Sequence, residues 1–236
     1  MKKMRMTQVA QIEDISPHMR RIVLQGDDLN DFPTDKEGAH FKAIFPQPGK
    51  IRPKLGVYLG FKKWMRSYTI RAFNSQQKEL TVDFAVNDHE GLATNRAKNA
   101  QQGDYLGVAG PGETKYTDYH ADWHLLVADL TALPAAAAIL EKLPTNAIGN
   151  AFIQVPMEDD KQTIAAPKGI QINWIINDDL SKKSLLQELK NMHWLDGKPA
   201  VFVAAESSHT IAIKQHLKTK PSYSKEQTYT AGYWTA

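Results

Sequence analysis

The sequence predicts two domains of nearly equal length, an antiparallel β-barrel followed by an α/β domain with a parallel sheet. Two observations predict this. Over residues 7–108, short strand-like runs alternate with turn chemistry and only one segment reads as a helix, the rhythm of a closed or nearly closed barrel. Over residues 123–217, apolar strands alternate with amphipathic helices, which implies a parallel sheet with helices on its faces. Residues 110–122, rich in Gly, Pro, Thr, Asp and Tyr, form the linker, so the domains are placed at 1–118 and 119–236. Each half of a 236-residue chain is long enough to bury its own core.

In the first half, residues 20–24 precede the turn Gly26-Asp27-Asp28, and residues 40–45 precede Pro46-Gln47-Pro48-Gly49. Residues 66–72 and 80–86 continue the strand series. A helix is expected over 92–100, opened by Gly91 and stopped by Gln101-Gln102-Gly103-Asp104, with a strand at 105–108 entering the turn Gly110-Pro111-Gly112. The second half reads as strands at 123–128, 151–155, 171–176 and 200–204, with helices at 134–143, 184–191 and 210–217.

Composition excludes several function classes. The net charge of +3, from 29 basic and 26 acidic side chains, is too small to argue for nucleic acid but suits an anionic small molecule. The absence of cysteine removes disulfides, thiolate metal sites, iron–sulfur clusters and a cysteine nucleophile. Redox chemistry would have to come from a bound cofactor. The positive start, Met1-Lys2-Lys3, is not followed by the apolar stretch of a signal peptide, and no run approaches a membrane span, so a cytoplasmic protein is expected. No zincin, nucleophile-elbow, Walker or EF-hand motif is present, and the eight histidines lack metal-ligand spacing.

The run Arg66-Ser67-Tyr68-Thr69-Ile70-Arg71 carries the sharpest chemistry. Alternation sends Arg66, Tyr68 and Ile70 to one face, although a bend at the edge brings Arg66, Tyr68 and Thr69 onto one ligand. An arginine fork, an aromatic ring and a hydroxyl are what a flavin dinucleotide wants. An edge strand with solvated arginines explains the same residues.

The wider pattern resembles the siderophore-interacting protein family, a branch of the ferredoxin reductase superfamily. The matching segments are His40-Phe41-Lys42 with Phe45-Pro46, the run 66–71, Val82-Asp83-Phe84, Gly103-Asp104 with Gly110-Pro111-Gly112, the run 129–135, the run 203–207, and Gly232-Tyr233-Trp234. The resemblance implies non-covalent FAD held by Arg66, Ser67, Tyr68 and Thr69, by the backbone of Asp83, Phe84, Ala85 and Val86, by Gly91, Leu92, Ala93 and Thr94 where the helix starts, and by Thr131 and Ala132. A terminal aromatic covering one flavin face points to Tyr233 or Trp234, unless both simply pack a last strand. The sequence departs from the family at Asn87, His89, Leu92 and Arg96, and His89 reads either as a flavin contact or as a surface histidine.

For a nicotinamide donor the resemblance implies Asp129, Thr131, Pro134 and Glu206. The run 129–134 lacks the glycines that let a backbone close on pyrophosphate, and a strand-to-helix turn capped by the Thr131 hydroxyl accounts for it equally. Glu206 either touches the nicotinamide or caps the next helix. The acidic turn Glu158-Asp159-Asp160 stands where a 2′-phosphate would need arginine, favouring NADH over NADPH. Substrate contacts are sought among Lys42, Arg52, Lys54, Lys62, Lys63 and His209, taken as a basic set near the flavin edge.

The function so implied is reduction of a ferric siderophore, catecholate or hydroxamate, by single-electron transfer from reduced FAD with release of iron(II). The alternatives are a flavoprotein fed by reduced ferredoxin, a general NAD(P)H flavin reductase, or a flavin- or siderophore-binding module without turnover. A monomer is expected.

Overall fold

Strand alternation and a long bent first strand build the first half of the computed structural model, which describes residues 3–86, 91–116, 118–182 and 184–236. The strands are β1 (Met4–Ser16), β2 (Met19–Gln25), β3 (His40–Ile44), β4 (Met65–Thr69), β5 (Ala72–Asn74), β6 (Glu79–Ala85) and β7 (Tyr105–Ala109). They form one antiparallel sheet in the order β4-β3-β7-β1-β2-β6-β5. The β1 register shifts between Val9 and Gln11 and again between Asp14 and Ser16. Such bulges bend a strand, so β1 pairs with β7 through its first residues and with β2 through the rest.

The run 66–72, expected as one strand, is two. Ile70 still exchanges backbone bonds with the 38–39 segment (Ile70 N to Ala39 O 2.9 Å, Gly38 N to Ile70 O 2.9 Å), whereas the Arg71 amide already donates to Thr81 of β6 at 3.0 Å. The two edge strands of the sheet, β4 and β5, are therefore consecutive in the chain. A sheet whose edges are joined by two residues must curl round on itself, which makes the barrel. Phe41, Leu24, Ile70, Leu80, Val82, Phe84 and Val108 fill its interior, and helix α1 (Leu92–Lys98) adds Ala97 to that core.

The second unit, Lys115–Ala236, follows Met1–Thr114. It comprises β8 (Trp123–Asp129), α2 (Leu133–Leu140), β9 (Ile148–Val155), β10 (Gly169–Ile176), α3 (Ser184–Asn191), β11 (Pro199–Glu206), α4 (Ser207–Leu217) and β12 (Thr228–Trp234). The sheet order is β10-β9-β8-β11-β12 and every neighbouring pair is parallel. All residues of β8 and β11 are buried, as expected for central parallel strands covered on both faces. The chain leaves β8 toward β9 and β10, then returns to the other side of β8 as β11. That reversal puts a topological switch point at the C-terminal ends of β8 and β11, where open α/β sheets bind ligands. Among the described residues, no helix is long and apolar enough to cross a membrane.

Candidate functional site

At the barrel rim, register sets the site. Arg66, Ser67, Tyr68 and Thr69 on β4 lie opposite Ala43, Lys42, Phe41 and His40 on β3. The Tyr68 ring sits 4.2 Å from the Phe84 ring at 45°, tying β4 to β6 across the closed edge. Burial raises the Tyr68 phenol above its ordinary value, and the Arg66 charge pulls it only partly back. Tyr68 therefore stays a neutral aromatic surface at working pH. Thr69 is buried, whereas Arg66 and Ser67 are exposed. The Arg66 Nη1 donates to the carbonyls of Lys63 (3.1 Å) and Met65 (2.9 Å), which steadies an exposed guanidinium at the rim. Ser67 accepts from the Lys42 ammonium at 2.5 Å.

Behind this rim, Asp83 is buried and receives both ends of the Arg21 fork at 2.7 and 2.8 Å, with Arg71 at 3.7 Å. Its side chain is therefore committed to arginines, and the expected ligand contact falls to its backbone. Phe84 belongs to the core, and the Val86 amide donates to His18 at 2.9 Å. Gly91 precedes α1 in an extended conformation with no side-chain cap, and among the described residues a Cβ there would meet only the Thr94 hydroxyl, at 4.0 Å. Ala93 packs on the barrel core. Asn87, His89 and the side chain of Leu92 lie outside the described residues; Arg96 reaches the Pro46 carbonyl at 3.4 Å. β4 keeps an unbroken register, so Arg66 and Tyr68 share one face and the buried Thr69 hydroxyl lies on the other, without the bend expected from the sequence. The exposed guanidinium fork and neutral aromatic ring fit a flavin dinucleotide by donor type.

Five of the six basic candidates are exposed: Lys42, Arg52, Lys54, Lys62 and Lys63. Arg52 stacks over the Tyr105 ring at 4.3 Å and donates to its hydroxyl at 2.6 Å, and Lys54 lies 4.6 Å from the Tyr58 ring. The sixth is corrected. His209 is 1% exposed in the first turn of α4, with Nε2 against the Ser181 carbonyl at 2.6 Å. A side chain so enclosed cannot form part of a basic rim that draws in a solute.

In the second unit, the switch point gathers Asp129, Glu206 and Trp234. Asp129 Oδ1 accepts from the Thr131 amide (2.9 Å), the Thr131 hydroxyl (2.6 Å) and the Ala132 amide (3.3 Å), and Oδ2 accepts from the Trp234 indole (2.7 Å). Thr131 is therefore no helix cap. Its hydroxyl donates backwards to Asp129, and the N-cap of α2 is Ala132 without any side-chain bond. The carboxylate takes the amides that a glycine-rich turn would aim at a phosphate. Pro134 then fits in the first turn of α2, where a missing N–H costs nothing. Burial raises the Asp129 carboxyl, and the bonds from Thr131, Trp234 and Ala132 offset this only in part.

Glu206 caps α4, accepting from the Ser208 amide (2.6 Å), the Ser208 hydroxyl (2.6 Å) and the His209 amide (3.1 Å). Trp234 pairs with Glu206 in the β11–β12 register, and its carbonyl accepts from the Ser207 hydroxyl at 2.7 Å. Because β11 lies between β12 and β8, the Trp234 indole spans the end of β11 to reach Asp129. Tyr233 is partly exposed beside it. The Asp129–Trp234 bond has no local sequence signal, since 105 residues separate its partners. The Asp-x-Thr spacing, by contrast, is the signature of a side-chain-closed turn and could have identified the role of Thr131.

Residues 8–115 match the family model described as the siderophore-interacting FAD-binding domain, and residues 121–236 match that described as siderophore-interacting protein. The chain is 33% identical over 230 residues to the ferric vibriobactin reductase ViuB of Vibrio cholerae, covering 93% of this chain and 85% of that protein. It is 27% identical over 242 residues to the NADPH-dependent ferric-chelate reductase of Escherichia coli, covering 97% and 91%. Among solved structures, a siderophore utilization protein from T. fusca superposes with a TM-score of 0.88 at 32% identity, over 99% of this chain and 93% of that one. The ferredoxin reductase of carbazole 1,9a-dioxygenase shares the fold, with a TM-score of 0.72 at 14% identity over 98% of this chain and 69% of that one. With a barrel and a parallel-sheet unit of the ferredoxin reductase type, and both halves matched in order, the chain belongs to the siderophore-interacting protein family.

Proposed function

We propose that this protein binds FAD at the barrel rim and reduces the iron of a docked ferric siderophore, releasing iron(II). The observation that carries the reading is β4, which presents the exposed Arg66 guanidinium and the neutral Tyr68 ring from one face at the closed edge of a barrel. The reductases among its relatives support the reaction class. Bound FAD supplies the conversion of an electron pair from a donor into the single electrons that iron(III) accepts. The chain's own part is to hold the dinucleotide through Arg66 and Tyr68 and to attract an anionic complex with Lys42, Arg52, Lys54, Lys62 and Lys63. Iron(III) in hard oxygen donors is held far more tightly than iron(II), so reduction loosens the metal.

For the donor, exposed Glu158 and Asp159 after β9 disfavour a 2′-phosphate and favour NADH. The switch point offers little to a pyrophosphate, because Asp129 occupies the turn amides and Trp234 spans the crevice. That observation favours reduced ferredoxin as a second donor. A cytoplasmic location accords with a soluble electron donor.

The test is anaerobic. The FAD-loaded protein is mixed with NADH, NADPH or reduced ferredoxin, then with a ferric catecholate or hydroxamate, and iron(II) is trapped by a chromogenic chelator. Trapped iron(II) with a preference for NADH over NADPH is the expected result. Flavin reoxidation without trapped iron(II) would remove the siderophore role, and a protein that retains no FAD would remove the reading altogether.

A further inference from the structure

Among the described residues of the barrel unit, three large aliphatic side chains are exposed, and all lie within nine positions of one another: Ile51 at 81%, Val57 at 60% and Leu59 at 102%. Scattered exposed aliphatics are ordinary, but a local group of them is not. The segment that carries them is anchored. Pro53 is buried, and Leu55 packs on β7 so closely that a Cβ on Gly107 would fall 2.7 Å from its methyl. The Gly56 amide contacts Met4 Sδ at 3.0 Å, and the Tyr58 hydroxyl receives Gln47 at 3.2 Å. Gly56 and Gly60, at φ +111° and +79°, supply the turns that throw Val57 and Leu59 outward. The aliphatics therefore project from a segment held at alternate positions.

The surrounding charge has one sign. Lys50, Arg52, Lys54, Lys62 and Lys63 are exposed around these aliphatics, and the sequence holds no Asp or Glu between Glu37 and Glu79. In a chain of net charge +3, this is segregation of charge. Cations interleaved with single protruding aliphatics suit a surface that is anionic, flat and soft. A bilayer with anionic headgroups meets all three conditions, attracting the lysines and admitting the aliphatics to the headgroup–acyl boundary. A protein partner would have to offer a matched recess to each aliphatic.

We infer that the 50–63 segment docks the protein peripherally on an anionic lipid surface. The docking surface shares Arg52, Lys54, Lys62 and Lys63 with the proposed attraction of substrate, but its exposed aliphatics Ile51, Val57 and Leu59 have no part in the proposed reduction. The FAD-loaded protein is floated with phosphatidylcholine vesicles with and without phosphatidylglycerol, at low and high salt, beside the triple variant Ile51→Ser, Val57→Ser, Leu59→Ser. Expected is flotation with the anionic vesicles alone, lost as salt shortens the Debye length. The triple variant is expected to bind at least about tenfold more weakly while keeping its circular dichroism spectrum, its FAD and its iron(II) release in solution. Failure of the wild type to float at low salt, or equal flotation of the variant, would overturn the inference. So would retention on an immobilised ferredoxin without vesicle binding, which would mark a protein-docking surface instead.

Discussion

Two buried carboxylates at the ends of adjacent strands titrate in opposite directions, because one is richly supplied with donors relative to its burial and the other is not. Burial pushes Glu206 up, but bonds from the Ser208 hydroxyl and the His209 and Ser208 amides outweigh it, so its native value lies below the ordinary 4.5. Its stabilising contribution is present above pH 4.5 and is lost as pH falls through the lower native value. Glu206→Gln, which keeps an acceptor but loses the charge, is expected to cost about 1 kcal/mol at neutral pH. In urea titrations the gap to wild type should close on acidification below pH 4.5, and a gap independent of pH would contradict the cap's charge. Asp129 behaves conversely, since its native value lies above 3.8 and its contribution is lost as pH rises from there. Trp234→Phe removes the indole donor from Oδ2 and is expected to cost about 1–3 kcal/mol. That cost should be largest where Asp129 is ionised and should shrink toward acid; the same urea titrations measure it. Asp129, Thr131, Glu206 and Trp234 were all legible in the sequence as residues of interest. The cap by Glu206 was among the readings the sequence offered, but the Asp129–Trp234 bond was not, because a carboxylate's partner more than 100 residues away leaves no periodicity to read.

At the scale of elements, alternation and turn chemistry locate most strands, and they fail where a strand changes neighbours. Residues 66–72 carry an unbroken strand pattern, yet Ile70 and Arg71 bond to opposite edges of the sheet. Only closure of the barrel reveals that break. β1 lies in a stretch whose polar and charged residues hide thirteen residues of strand, and β12 follows from pairing with β11. His209 shows the reverse failure, since a histidine just after a helix start reads as exposed until the packing around Ser181 is known. Asp83 joins β6 to Arg21 on β2 and to Arg71 at the β4–β5 junction, so it fastens the barrel where its edges meet. Asp83→Ala would leave two arginines facing a buried gap and is expected to destabilise the fold by about 3 kcal/mol. Thermal and urea unfolding measure this, and a loss below about 0.5 kcal/mol, the size of an ordinary surface change, would contradict that role.

For the whole molecule, the two-part layout was the most legible feature, because a change from turn-punctuated strands to alternating strands and helices is written in the order of residue types. In the barrel, the candidate residues were legible as the consecutive run Arg66-Ser67-Tyr68-Thr69. In the second unit, the turn after β8 was less so, because it closes on its own aspartate and leaves no glycine-rich signature. The charge map belongs to this scale also. A net charge of +3 conceals a stretch between Glu37 and Glu79 that is basic throughout, and such segregation governs what the molecule meets first. The reading of this protein as a flavin-dependent reductase rests on the barrel rim. The direct measurement is equilibrium binding of FAD to the apoprotein, followed by flavin fluorescence, for wild type and Arg66→Ala. The account predicts saturable binding by the wild type and affinity lower by about tenfold or more in the variant, with an unchanged circular dichroism spectrum. Equal affinity of the two proteins, or no FAD binding by the wild type, would contradict it.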